Sequence, residues 1–319
     1  MMKSLFRYIL PVSAAIFAIG CNSGVFVDEF LPESPSVVVE RSGEASKIRF
    51  KAANWDILSS VGGSTTLYGD IYDMNGDLVS HNQPLYGDGL LKMVYDDGLV
   101  DFRIERNDYR QLDIFFGENL YDRPYEVLIY VGNDYESGTV GVTFNPSEKY
   151  RVDSVAYQWD AFSFSDNSAE TKDSFTINNS SSTEPATVVV YPYKNEHRTV
   201  EFFSNAYDER REEILGASLP KIEIPDVEEG LPVRKGTTAS FVRQEQRLPL
   251  PFPDGVEAEV TLKPGEHKRV EVLVVYERFS VPYTVYASSP ATGRQRTFSG
   301  KLYSSLPYNY YIFKLQPDQ

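Results

Sequence analysis

The chain has 319 residues, 41% hydrophobic and 13% aromatic, with 31 basic against 46 acidic side chains and a net charge of −15. Such acidity excludes nucleic-acid binding through bulk charge, because phosphate contacts draw on Lys and Arg. A single cysteine excludes an internal disulfide.

Lys3 and Arg7 precede an apolar run from Tyr8 to Ile19. That run is shorter than the roughly 20 residues a membrane-spanning helix needs, and its basic start and small-residue end describe an export signal. The lone cysteine, Cys21, follows directly. Ala18-Ile19-Gly20-Cys21 resembles a bacterial lipoprotein box, with Ala18 where Leu is commoner. The resemblance implies a signal peptide over 1–20 and lipid attachment at Cys21. It implies a cell-envelope, outer-membrane lipoprotein whose membrane contact is an N-terminal lipid, without fixing the leaflet. An ordinary secretory signal with an incidental cysteine is the alternative. Removing residues 1–20 takes two basic residues away, leaving 29 against 46 and a net charge of −17.

About 300 mature residues suggest two domains. Scattered Pro and Gly break the chain into short alternating runs, and no long helical periodicity occurs, so the fold class is all-β. Residues 21–35 read as a tether. Strands are expected at Ser36–Glu40 and Ser46–Ala52, with a third from Asn54. Trp55 alternates with Ile57 and reads as core, although an exposed aromatic would stack on a sugar face. Asp73-Met74-Asn75-Gly76-Asp77 reads as a hairpin turn, because Asn-Gly is the strongest short hairpin signal. The competing calcium-loop reading would need a carboxylate at the twelfth position, where Pro84 stands.

Three features resemble the BACON-type β-sandwich of secreted bacterial proteins: the strand pair VVVERSGEASKIRF, the NWDI strand, and the closing FFGENLYDRPYEVLIYVGNDYESGTVGVTF. Asn119 and Arg123 match an Asn and Arg that precede two terminal strands in that module. The resemblance covers 36–146, runs long over 62–95, and lacks the usual final Gln. It implies a carbohydrate or surface-receptor partner without placing a ligand residue.

Pro146–Tyr150 reads as the boundary to a second module over 150–315. Tyr157, Trp159, Phe162 and Phe164 open it. A Ser/Asn turn near Asn178–Thr183 and a strand pair over Thr187–Ser204 follow, and then a charged, helix-like stretch over 206–215. The clearest alternation is in Glu257–Tyr303: Val260 and Leu262, then Val270, Val272 and Val274, then Val281, Tyr283 and Val285. Lys263-Pro264-Gly265-Glu266 supplies one reversal and Pro290-Ala291-Thr292-Gly293 the next, with a chain break expected at Gly300.

In order, NNSSSTEPATVVV, IEIPDVEEGLPV, VTLKPGEHKRVEVLVVYERFSVPYTVYAS and RTFSG resemble the aerolysin-like β-pore-forming fold. That implies an elongated module of long twisted strands, and an oligomer only if a pore forms. The membrane hairpin would fall in 206–250. Pro220, Pro225, Pro232, Pro249, Pro251 and Pro253 interrupt it, and Asp208–Glu213 adds six charges. Proline cannot donate a ladder hydrogen bond, so pore formation is disfavoured and 206–250 is expected to pack along the long strands with Ile222, Ile224 and Leu231 inward. Unrelated Ig-like sandwiches in a structural or adhesive surface lipoprotein remain the alternative.

His81, His197 and His267 have no metal-ligand spacing, and no nucleophile elbow, phosphate loop or zinc-protease motif occurs. No cofactor, metal or catalytic residue is expected. A glycan-degrading carboxylate pair is the enzyme alternative, and the reading is a non-enzymatic protein.

Overall fold

The computed structural model describes residues 29–204, 210–253 and 255–316. Cys21, Asp208 and Glu209 therefore lie outside the described residues. The chain divides into two compact units between Ser147 and Glu148. Both are built almost wholly of strands, as the alternation requires.

The first unit holds β1 (Ser36–Val39), β2 (Ala45–Arg49), β3 (Asp56–Gly62), β4 (Thr65–Thr66), β5 (Tyr68–Tyr72), β6 (Leu78–Pro84), β7 (Leu91–Asp96), β8 (Val100–Asp108), β9 (Gln111–Asn119), β10 (Tyr125–Gly132) and β11 (Ser137–Phe144). One sheet runs β1-β11-β10-β3-β4 and the other β2-β9-β8-β7-β5-β6. Val127, Ile129 and Val131 from the first share a single core with Phe102, Ile104, Ile114 and Phe116 from the second. That makes a sandwich. Trp55 is 1% exposed and stacks on Phe50 at 3.8 Å between centroids, as its alternation with Ile57 predicts.

The expected strand pair at 36–52 is corrected. β1 pairs in parallel with β11, while β2 pairs with β9 in the opposite sheet. Gly43, at φ 83°, turns the chain between the sheets, so the alternation was right and the partner wrong. Asn119 is fully buried. Its amide donates to the carbonyls of Phe144 and Arg123, and its carbonyl accepts from the Tyr121 N–H, which ties the end of β9 to the final hairpin.

The second unit holds β12 (Arg151–Tyr157), a short 3-10 turn (Trp159–Ala161), β13 (Ser163–Asn178), β14 (Ala186–Val190), β15 (Arg198–Phe203), α1 (Arg211–Leu215), β16 (Lys221–Glu223), β17 (Asp226–Glu228), β18 (Leu231–Val233), β19 (Thr238–Ser240), β20 (Gln246–Leu248), β21 (Ala258–Leu262), β22 (His267–Ser288) and β23 (Gln295–Leu315). β22, 22 residues long, spans about 70 Å if fully extended. It pairs with β23 along nearly its whole length, and with β12 and β13 end to end on its other side.

β22 buries opposite faces at its two ends. Val270, Val272 and Val274 are inward in its first half; Phe279, Val281, Tyr283, Val285 and Ala287 are inward in the second. Side chains alternate along a strand, so even and odd positions face opposite ways. The partners take up the switch with an extra residue each. Val275 pairs with Asn309 but Tyr276 with Pro307, and Ser165 pairs with Arg278 but Ser168 with Tyr276. One core gathers Ile177, Val190, Val260, Leu262, Val270 and Val272. The other is an edge-to-face cluster of Phe202, Phe241, Tyr283 and Phe298.

Three further expectations are corrected. Gly300 is no chain break: it sits inside β23 opposite Tyr283, where a Cβ would lie 2.1 Å from the Phe203 carbonyl oxygen and 2.8 Å from the Tyr283 hydroxyl. β14 and β15 do not pair with each other but with β21 and with β23 and β20, because the intervening loop, with Asn195 at φ 62°, carries the chain from one core to the other. Leu231 is 67% exposed, since Glu229 and Gly230, both at positive φ, turn β17 into β18 just before it. Ile222 and Ile224 are buried as expected. Of the helix-like stretch, Arg211–Leu215 forms α1.

The interrupted segment is fastened by two buried arginines. Arg198 donates to Asp226 Oδ1 at 2.5 Å, to the Pro225 carbonyl at 2.6 Å and to Ser304 Oγ at 2.9 Å. Arg211 donates to the Tyr283 hydroxyl and lies over the Phe241 ring. Its strands are three residues long, as its prolines lead one to expect.

Candidate functional site

In the first unit a groove of about 340 Å³ opens beside the β5–β6 hairpin. Ile71, Leu90 and Leu91 line its base, and Tyr72, Asp73, Ser80, Gln83, Tyr86 and Asp88 supply its aromatic and polar groups. Tyr86 is 54% exposed. The groove falls within 62–95, the stretch that runs long in the sequence.

One wall is the hairpin. Asp73 Oδ1 accepts the N–H groups of Asn75 and Asp77, each at 2.9 Å, and Gly76 takes φ 92°. The turn reading of DMNGD holds, and the Asp73 carboxylate is occupied by its own loop. The Asp77 N–H, and then the amide and N–H of Asn75, hold its carboxyl below the usual carboxylate range. Asp70 is likewise held low, first by the Asn82 N–H and then by His81, whose Nδ1 sits 2.8 Å from Asp70 Oδ1. The β5–β6 register shifts twice, between Gly69 and Ile71 and between Ile71 and Tyr72. Such bulges re-aim side chains.

The other wall is the loop 85–90, held from inside the sandwich. Ile57 and Gly87 exchange backbone hydrogen bonds at 3.0 and 3.2 Å. Arg106 follows Val100, Phe102 and Ile104 on the inward face of β8 and is 1% exposed. Its guanidinium lies 4.1 Å over the Trp55 ring and donates to Asp56 Oδ1 at 2.5 Å, to the Gly89 carbonyl at 3.0 Å and to the Trp55 carbonyl. Asp56 Oδ1 also accepts the Gly89 N–H at 2.9 Å. The buried guanidinium, through its two terminal nitrogens, and the half-exposed Asp56 carboxylate thus hold the backbone that presents Tyr86 and Asp88.

The sequence named Trp55 as core and the 73–77 turn; Asp73 of that turn lines the groove, and Trp55 stacks with Arg106, which holds the far wall. It did not name Tyr86, Asp88, Gln83 or Arg106. Only Arg106 left a signal, as a charge in the inward register of V-x-F-x-I-x-R. His81 lies on β6 in the first unit, and in the second His197 lies beside Asn195 in the loop before β15 and His267 at the start of β22. Among the described residues no group of three or more His, Cys, Asp or Glu side chains is placed to hold a metal ion. No described helix is long and apolar enough to cross a membrane.

No family model and no curated protein matches the chain. Among solved structures it is similar to a protein from Bacteroides thetaiotaomicron, at 10% identity and TM-score 0.26, over 40% of this chain and 96% of that one. It is similar to a lamprey immune protein, at 11% identity and TM-score 0.37, over 85% and 97%. A chimeric titin tandem gives 12% identity and TM-score 0.15, over 83% and 93%.

Proposed function

We propose that this is a non-enzymatic cell-envelope protein, anchored by a lipid on Cys21, whose BACON-like first unit binds glycan in the groove beside the β5–β6 hairpin. The observation that carries the reading is the groove itself. An exposed tyrosine ring and a set of hydroxyl, amide and carboxylate groups converge on one concave site whose far wall is pinned by a buried arginine. Pyranose rings present an apolar C–H face for the aromatic and hydroxyls for the polar groups.

Binding without catalysis is the better fit. Glycoside cleavage needs a carboxyl raised above its usual range to act as acid. Asp73, which lines the groove, and Asp70 beside it are both moved down instead. The second unit fits an aerolysin-like module in its 22- and 21-residue paired strands. Its pore-forming role stays disfavoured, because the candidate hairpin is cut into three-residue strands and held by Arg198 and Arg211.

The test is binding of the mature chain to a panel of soluble oligosaccharides by calorimetry, with Tyr86→Ala as the site variant. We expect at least one class of glycan to bind, and Tyr86→Ala to weaken it about tenfold, roughly 1.4 kcal/mol, with an unchanged melting temperature. Absence of any Tyr86-dependent binding would favour the adhesive sandwich reading. Fatty-acid labelling that persists in Cys21→Ala would remove the anchor.

A further inference from the structure

We infer that the groove selects neutral, hydroxyl-rich sugars and rejects sulfated, sialylated and uronate chains; this rests on the glycan reading above. The charge of the lining is one-sided. Asp73 and Asp88 face the groove, and among the described lining residues there is no Lys, Arg or His.

The cations nearby are committed elsewhere. Arg106 is 1% exposed and spends its guanidinium on Asp56 and the carbonyls of Trp55 and Gly89. His81 is bonded to Asp70. The Lys92 ammonium lies 5.5 Å over the ring of Tyr72, which lines the groove, but Lys92 itself lines a different hollow, with Asp96 and Asp101. A sulfate or carboxylate entering the groove would lose water, meet Asp73 and Asp88 and find no counter-charge among the lining residues, within a mature chain of net charge −17.

A neutral pyranose meets no such penalty. Its hydroxyls donate to Asp88 and exchange hydrogen bonds with Gln83 and Ser80, while its C–H face covers Tyr86. Carboxylate acceptors are charge-assisted partners for hydroxyl donors and are stronger than amides in that role. Asp88 therefore serves for attraction and for exclusion, while Asp73, engaged by its own turn, adds to the exclusion.

The experiment uses the full mature chain and matched probes: neutral gluco- and manno-hexasaccharides, their persulfated derivatives, and a galacturonate hexasaccharide. Each is titrated at low and at high salt. We expect the neutral chains to bind about tenfold or more tighter than any anionic one, with the gap narrowing as salt screens the repulsion. Asp88→Asn, nearly isosteric, should weaken the neutral chains about threefold to tenfold and shrink the discrimination, with no change in melting temperature. A wild-type protein that binds a persulfated or galacturonate chain as tightly as a neutral one overturns the inference and leaves the glycan reading standing. Neutral binding that ignores both Tyr86→Ala and Asp88→Asn overturns the placement in this groove. No binding of any probe defeats both.

Discussion

Arg106→Met is the substitution on which the groove depends most. The side chain is 1% exposed, makes three hydrogen bonds and covers the Trp55 ring. Removing one partner of a buried ion pair costs about 3–5 kcal/mol. Here the carboxylate side is discounted, because the Asp56 side chain is 39% exposed and keeps the Gly89 N–H. The Trp55 and Gly89 carbonyls lose their donor, at about 1–3 kcal/mol for each such group and less than additively. Methionine retains much of the packing on Trp55. The first unit should therefore lose about 3 kcal/mol. Urea unfolding followed by Trp55 fluorescence in a Trp159→Phe background reads this directly, since the chain has two tryptophans, one in each unit. Under folding conditions the same variant should weaken glycan binding about as much as Tyr86→Ala, because the loop that presents Tyr86 has lost its anchor. Arg106→Lys should restore only part of either property, as one ammonium cannot reproduce the fork. A loss of stability below about 1 kcal/mol, or unaltered binding, would refute the account of Arg106 as the pin of the groove.

The remaining predictions concern the second unit and acid. Arg198→Met should destabilise the second unit by about 3–5 kcal/mol, because Arg198 and Asp226 are both largely buried at 5% and 16% side-chain exposure; a shift below 1 kcal/mol in Trp159-monitored unfolding would show that the pair does not fasten the segment. Asp70 and Asp73 should titrate below their ordinary 3.8 in a carboxyl-detected NMR experiment. A lowered folded-state value means that the unfolded chain binds more protons. The contribution to the β5–β6 hairpin is thus full above the unfolded value and lost as pH falls through the folded one. Groove affinity should decline in that same acid window, and an Asp73 that titrates at or above its ordinary value would break the argument.

What the sequence determined by itself is what a few neighbouring residues can encode. Alternation in Val260–Val285, with no long helical periodicity elsewhere, pointed to the all-β class and to the inward faces of the long strands. Gly76 and Gly265 fixed tight turns, because positive φ is a local requirement. Proline at 220, 225 and 232 foretold that no long strand forms there. Partner choice was not local. β1 and β2 went to opposite sheets, and β14 and β15 to different partners, because a strand's ladder groups accept any edge until the whole sheet is assembled. The parity change between Val274 and Val281 was visible in the chain, but only tertiary structure decided that one strand serves two cores on opposite faces. Gly300 looked like a break because its role is spatial: it leaves room for Tyr283 and the Phe203 carbonyl. The groove was least legible of all. Its far wall is set by contacts between residues 33 and 50 positions apart, Gly89 with Asp56 and Arg106 with Asp56, and no local pattern carries information over such separations.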